Sequence, residues 1–208
     1  MMKPAAIERP LETKEIILES FISLVEQRGA FQIVFQEIAD ASKMSLGSIR
    51  YYFKNYDSLV EAAIVYVFQR AQVVIEEDIM RVRLSGSSNQ MIRAYIEANF
   101  RWMEAYPSHA AFLSYFYHLC CTRASVVGRD FWQRGRKRVE ALILEEVART
   151  KSKGPQDVEA AAQVIHSMIF GSVVVAMAER SPESSQRQLK VLLDSLPSVL
   201  LSVASIES

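Results

Sequence analysis

Apolar residues recur three and four positions apart along most of the chain, and no stretch of strand length alternates strictly between apolar and polar. That period predicts an all-α protein of about nine helices. A first helix opens at Thr13, read as its N-cap, with Ile16, Ile17, Ser20, Phe21, Leu24 and Val25 on one stripe, and Gly29 closes it as a C-cap. Two short helices follow. Ile38 and Ala39 mark the inner face of the first, Lys43-Met44-Ser45 breaks the pattern, and Ile49 and Phe53, four apart, mark the second. A long helix is expected from about Asp57 to Arg83, with Leu59, Val60, Ala63, Ile64, Val67, Ala71, Val74 and Ile75 inward. Its length could tie two domains together mechanically.

Ser85 to Asn89 reads as a loop, Gln90 to Tyr106 as a helix, and Pro107 as the start of the next. Gly128 is expected to separate that helix from another over Arg129 to Lys151, and Lys153-Gly154-Pro155 to form the following break. Two helices, Gln156 to Glu179 and Glu183 to Ile206, complete the pattern, the last kinked at Pro197. Met1 to Leu11, with two prolines, Lys3 and Arg9, reads as an arm, either a mobile end or a reach toward DNA.

The 208 residues are half hydrophobic, enough for one or two domains with a real core. The longest apolar run, Val164 to Ala178, is interrupted by His166, Ser167, Gly171 and Ser172 and reads as too short and broken to cross a membrane. The N-terminus has early acids and no apolar leader core, which makes the cytoplasm the expected location. Basic and acidic residues number 24 each. A nucleic-acid contact must therefore be confined to one face, built from Lys3, Arg9, Lys14, Lys43, Arg50 and Lys54.

Candidate catalytic chemistry is sparse. The three histidines, 109, 118 and 166, have no metal-ligand spacing, and no phosphate loop, dinucleotide loop or nucleophile elbow is present. No enzyme activity, metal or cofactor is expected. The adjacent Cys120 and Cys121 read as free thiols. Glu76-Glu77 and Glu145-Glu146 read as solvated helix faces, as does the basic run Arg129, Arg134, Arg136, Lys137 and Arg138, which could also hold an anion.

Aromatic residues concentrate between Trp102 and Trp132. Core packing is the plainer reading. The functional one is an apolar cavity with polar handles, for which Asn99, Trp102, Phe112, Phe116, His118 and Trp132 are the candidates. In the last two helices Ile165, Ile169, Val173, Leu189, Leu193 and Leu196 form apolar stripes too wide to leave in water. Two copies could bury them as a four-helix bundle about a two-fold axis.

The stretch from Phe35 to Leu59 carries the most specific signal. Ser45 is placed to cap the second short helix, and the face opposite Ile49 and Phe53 presents Leu46, Gly47, Ser48, Arg50, Tyr51 and Lys54. Such a helix can enter a major groove with its N-terminal residues at the base edges. The skeleton Ile16-Ile17-Leu18, Phe21, Gly29, Ile38-Ala39, Ser45, Gly47, Ile49, Tyr51, Phe53 and Leu59 resembles the N-terminal helix-turn-helix of the TetR (tetracycline-repressor-like) transcriptional regulators over roughly the first quarter of the chain.

The resemblance implies a DNA-binding domain over residues 1–56 and a helical regulatory and dimerisation domain over 57–208. It implies a homodimer on a pseudo-palindromic operator, most simply a repressor, released by a small apolar or aromatic inducer. Lys43, Ser45, Leu46, Gly47, Ser48, Arg50, Tyr51, Tyr52 and Lys54 are then the DNA-contacting residues. The departures are specific. Lys43 replaces a usual Gly, Val34 a capping Ser or Thr, Arg50 a Tyr, and Tyr56 a phosphate-meeting Lys. They imply contacts rebuilt rather than inherited. The rival is a helical small-molecule-binding or scaffold protein without DNA binding.

Overall fold

The computed structural model describes residues 12–29, 33–85, 90–122, 126–150, 155 and 157–202; of residues 118–122, 126–128 and 201–202 it describes the backbone alone. The N-terminal arm, the loop after Ser85, Lys153-Gly154 and the side chains of His118, Cys120 and Cys121 lie outside the described residues. Among those described there are nine helices and no strand: α1 (Thr13–Arg28), α2 (Phe35–Ser42), α3 (Leu46–Tyr52), α4 (Tyr56–Ser85), α5 (Met91–Ala105), α6 (Pro107–Thr122), α7 (Val126–Thr150), α8 (Val158–Glu179) and α9 (Pro182–Ser202). The all-α expectation and the order of the helices hold.

Several boundaries differ for local reasons. The N-cap of α1 is Glu12, not Thr13: its backbone is extended and its N–H donates to Glu15 Oε2 at 3.0 Å, so a carboxylate one turn on satisfies the free amide. Gly29 does close α1, at φ 77°, with its N–H on Val25 O at 2.8 Å. Gly128 lies inside α7 and breaks nothing, since a helix tolerates one glycine at a cost of about 1 kcal/mol. Pro197 sits within α9.

Packing divides the chain into two compact units, and the division falls within α4. The first holds residues up to Ala71 together with Ala105–Gly128. In it α1 packs on α2 and on α6, and α2 packs on α3. Its core is Ile17, Phe21, Ile22, Ile38, Ile49, Phe53, Leu59 and Phe112, all essentially without solvent contact. Phe112 of α6 meets Phe21 edge-on at 5.8 Å. α6 thus fills a gap in the N-terminal helices from about ninety residues away in sequence.

The second unit holds Gln72–Glu104 and everything from Arg129 on. α8 packs along α9 there, burying Ala161, Ala162, Ile165, Ile169, Ala176 and Leu192. Glu145 of α7 takes a two-pronged bond from Arg83 of α4, at 2.9 and 2.6 Å. Asp78 of α4, itself buried, is held by Arg101 of α5 at 2.6 Å. Glu146 reaches the otherwise free amide of Ile92 at the start of α5, and burial holds its carboxyl above the usual range against that bond.

Both α4 and α8 have the length and apolar composition of a membrane-crossing helix, which corrects the reading of 164–178 as too short: α8 begins six residues earlier. A packed core helix meets the same criterion. Here Leu59, Ala63, Ile64, Val67, Ala71, Ile75 and Ile79 of α4 are buried within the fold.

Candidate nucleic-acid interface

The turn between α2 and α3 is fixed at both ends. At the end of α2 the hydroxyl of the buried Ser42 donates to Ile38 O at 2.6 Å. Lys43 then adopts a left-handed conformation, φ 56° and ψ 34°, while Met44 N–H returns to Ala39 O at 3.0 Å. Ser45 caps α3 as expected, its Oγ accepting Ser48 N–H at 3.0 Å, and the two hydroxyls also pair at 2.9 Å. Val34, which has no capping side chain, is served from inside the helix: Glu37 Oε2 accepts its N–H at 3.0 Å, and the same carboxylate pairs with Arg28 of α1.

With Ile49 at 0% exposure and Phe53 at 2%, the inner face of α3 is anchored in the core. Its other face stands open. Gly47, Arg50 and Lys54 are exposed, Tyr51 is 83% exposed, and Tyr52 meets Tyr51 edge-on at 5.2 Å. Leu46 and Ser48 are half-buried at the start of the helix. Nothing but Ser45 Oγ, at 3.6 Å, lies near a Cβ placed on Gly47, so this turn can approach a surface closely.

Among the described residues the Arg50 side chain makes no hydrogen bond or ion pair. The intramolecular alternatives are taken: Glu37 holds Arg28, and Asp40 accepts from Gln36 at 2.8 Å. Lys14 of α1 lies 6.0 Å over the Phe53 ring and adds a cation near the end of α3.

Tyr56 is a different matter. It begins α4, packs edge-on against Phe21 at 5.7 Å, and burial, with Tyr115 adding to it, pushes its hydroxyl up to about 12. It serves the core rather than carrying charge. α4 starts instead with a reciprocal cap, Ser58 N–H on Asn55 Oδ1 at 2.8 Å and Asn55 N–H on Ser58 Oγ at 3.3 Å.

Elsewhere in the first unit α1, α4 and α6 hold a polar cluster that helical periodicity does not single out. Glu19 of α1 accepts Tyr66 Oη of α4 at 2.5 Å and pairs with His109 Nε2 of α6 at 2.8 Å. Tyr106 stacks on the imidazole at 5.7 Å. Burial would raise the Glu19 carboxyl, but His109, Tyr66 and Arg70 together outweigh it and hold the group below its usual range. The three residues are 47 and 43 positions apart, which is why no local pattern connects them.

The aromatic candidates separate. Phe112 and Phe116, 4.5 Å apart, are buried in the first unit. Trp102, Asn99 and Trp132 belong to the second. Trp102 is buried and its Nε1 finds no acceptor among the described residues, while Asn99 Nδ2 is committed to Tyr95 O at 2.7 Å. Trp132 is half-buried and meets His166 edge-on at 4.4 Å. Burial, then Arg136, pushes the His166 imidazole down to about 4.

Within the basic run, Arg136 pairs with Glu159 at 2.8 Å, Arg138 pairs with Glu76, and Arg134 lies over Phe131.

The interface candidates on α8 also divide. Ile165 and Ile169 are 1% and 5% exposed and fill the chain's own core, so they have no surface to offer a partner. Val173, Leu189, Leu193 and Leu196 are half-buried. The open apolar face of α8 lies one position round the helix. Ala160, Gln163, Val164, Ser167 and Met168 line a shallow hollow of about 480 Å³, and Gly171, Val174 and Val175 continue it.

No family model matches the chain. An uncharacterized HTH-type transcriptional regulator from the dhlA 5′ region of Xanthobacter autotrophicus is 35% identical over 63 residues, 30% of this chain. The match spans only 31% of that relative's own length. Solved structures are similar over nearly the whole chain. A TetR transcription regulator from Haloarcula marismortui superposes with a TM-score of 0.73 at 15% identity, covering 89% of this chain and 97% of its own. A candidate transcriptional regulator from Saccharomonospora viridis, solved in complex with choline, gives 0.67 at 14% identity, covering 88% and 95%. With nine helices among the described residues, an N-terminal helix-turn-helix and this superposition over most of its length, the chain has the fold of the TetR-family transcriptional regulators.

Proposed function

We propose that the protein is a ligand-responsive, DNA-binding transcriptional regulator, a repressor acting in the cytoplasm. Residues 1–56 form the part that meets DNA, and 57–208 the regulatory and dimerisation part. One observation carries the reading. A short helix anchored in the core by Ile49 and Phe53 presents Arg50 and Tyr51 to solvent, and Arg50 has no partner within the described residues. That is the arrangement a major-groove reader needs: an immobile backbone and uncommitted donors. Arg50 is assigned to base edges, with Leu46 and Ser48 beside it; Tyr51, Tyr52 and Lys54 are assigned to the sugar-phosphate backbone.

As a homodimer the protein carries two such helices, so its operator is pseudo-palindromic. The small molecule is apolar or aromatic. Trp102 supports this on the regulatory side, as a buried ring whose N–H finds no partner among the described residues. A chain of similar fold was solved with choline, which supports a small-molecule site in this architecture. The ligand lowers DNA affinity only to the extent that it prefers the DNA-free state.

The test is selection of bound duplexes from a random pool. Enrichment of a two-fold-symmetric sequence is expected. No enrichment at low salt would leave a helical small-molecule-binding or scaffold protein, the reading that a net charge of zero favours. For the ligand, tryptophan fluorescence is expected to respond to any compound that also releases the selected duplex.

A further inference from the structure

We infer that Lys43 grips a DNA phosphate and is kept at a cost to folding, so that affinity and stability oppose each other at this one residue. The inference rests on the DNA-binding reading above and says which group holds the edge of that interface.

Two observations lead to it. Lys43 is one of two non-glycine residues among those described with positive φ, and it sits at the turn that sets α3. A β-carbon is disfavoured there against glycine. The side chain recovers none of this inside the protein: it is exposed, and makes no hydrogen bond or ion pair among the described residues. Strain that the fold does not use is found where function uses it.

The position fits a phosphate. A helix that meets base edges with its N-terminal residues has the preceding turn at the rim of the groove, beside the backbone. A lysine there supplies a point charge on a long stem. In the turn after α3 Tyr56 is given to packing against Phe21 and Lys54 is the exposed cation, so Lys43 supplies the matching charge at the turn before α3. One competing explanation needs no DNA: a cation at the C-terminal end of α2 is favoured by the helix dipole, which could offset the strain on its own.

Lys43→Gly, Lys43→Asn and Lys43→Arg in the full chain separate the two. Thermal unfolding and binding to random-sequence duplex DNA over a salt series are measured together. The Gly and Asn variants are expected to melt higher than wild type, because both accept the left-handed conformation. They are also expected to bind several-fold more weakly, with a salt dependence shallower by about one ion. The Arg variant is expected to keep the wild-type salt dependence and melting. A Gly variant with the wild-type salt dependence, or one that melts lower, overturns the inference. Wild-type protein that binds no duplex at low salt overturns the DNA-binding reading itself, an outcome distinct from either.

Discussion

Arg50 is the residue whose role the local structure constrains most. It is adjacent to Ile49, which is fully buried, so its Cα cannot move without disturbing the core. Its guanidinium is free of the carboxylates that could have neutralised it, since Glu37 and Asp40 are engaged elsewhere. A fork of donors on a fixed backbone suits guanine O6 and N7, worth about 1–3 kcal/mol of discrimination. Arg50→Ala is therefore expected to lose affinity mainly for duplexes carrying one particular G·C pair and to relax preference there. Equal weakening across all variants of the selected site would assign Arg50 to phosphate instead. Arg50, Ser45 and Gly47 were all legible in the sequence because helix caps and exposed faces follow from spacing of a few residues. Whether Arg50 was paired was not, because Arg28, Glu37, Gln36 and Asp40 compete for the same partners in three dimensions.

At the scale of the helix, α1, α4 and α6 are tied at one point by Glu19. Its carboxylate serves Tyr66 and His109 together, and removing the charge leaves two partly buried donors poorly matched. Glu19→Gln is expected to destabilise the fold by about 1–2 kcal/mol, measured by chemical denaturation. The pH dependence has a definite sign. The folded carboxyl sits below its ordinary value of 4.5, so its contribution is complete above that pH and is lost as pH falls through the folded value. The stability gap between wild type and Glu19→Gln should therefore be constant near neutrality and close below about 4.5. A gap that stays unchanged well below pH 4.5 would mean that the carboxylate does not carry the tie. The periodicity of α1 marked Phe21 and Val25 as inward but gave no reason to notice Glu19 at the edge of the same stripe.

For the whole molecule, the open question is the apolar face of α8. A stripe of Ala160, Val164, Met168, Gly171 and Val175 stays open, with Val164, Gly171 and Val175 exposed and Ala160 and Met168 half-buried. Val175 is 40% exposed, and nothing lies within 4 Å of a Cβ placed on Gly171, which leaves room for another helix to come close. If this face joins two copies, Val164→Glu or Val175→Glu should sediment as a folded monomer with native helicity. Ile165→Glu should instead unfold the C-terminal unit, because that side chain is already buried within its own chain. A Val175→Glu protein that remains dimeric would place the contact elsewhere. The wide apolar stripe on α8 was readable from the sequence, but a helix turns 100° per residue. Adjacent positions such as 164 and 165 can therefore face opposite environments, and only packing against α9 assigns one to the core and the other to solvent.

The sequence alone determined the features set by short-range chemistry: the helices from their period, the helix-turn-helix from Ile38-Ala39 through Phe53, and the serine cap. The tertiary structure decided the rest. It packed the half-buried Tyr56 edge-on against Phe21, placed Phe112 of α6 against Phe21 of α1, and gathered Glu19, Tyr66 and His109. It also chose which face of α8 stays open. These outcomes depend on contacts between residues dozens of positions apart. Their energies are fixed by what each side chain meets across the core, and periodicity along one helix carries no record of that.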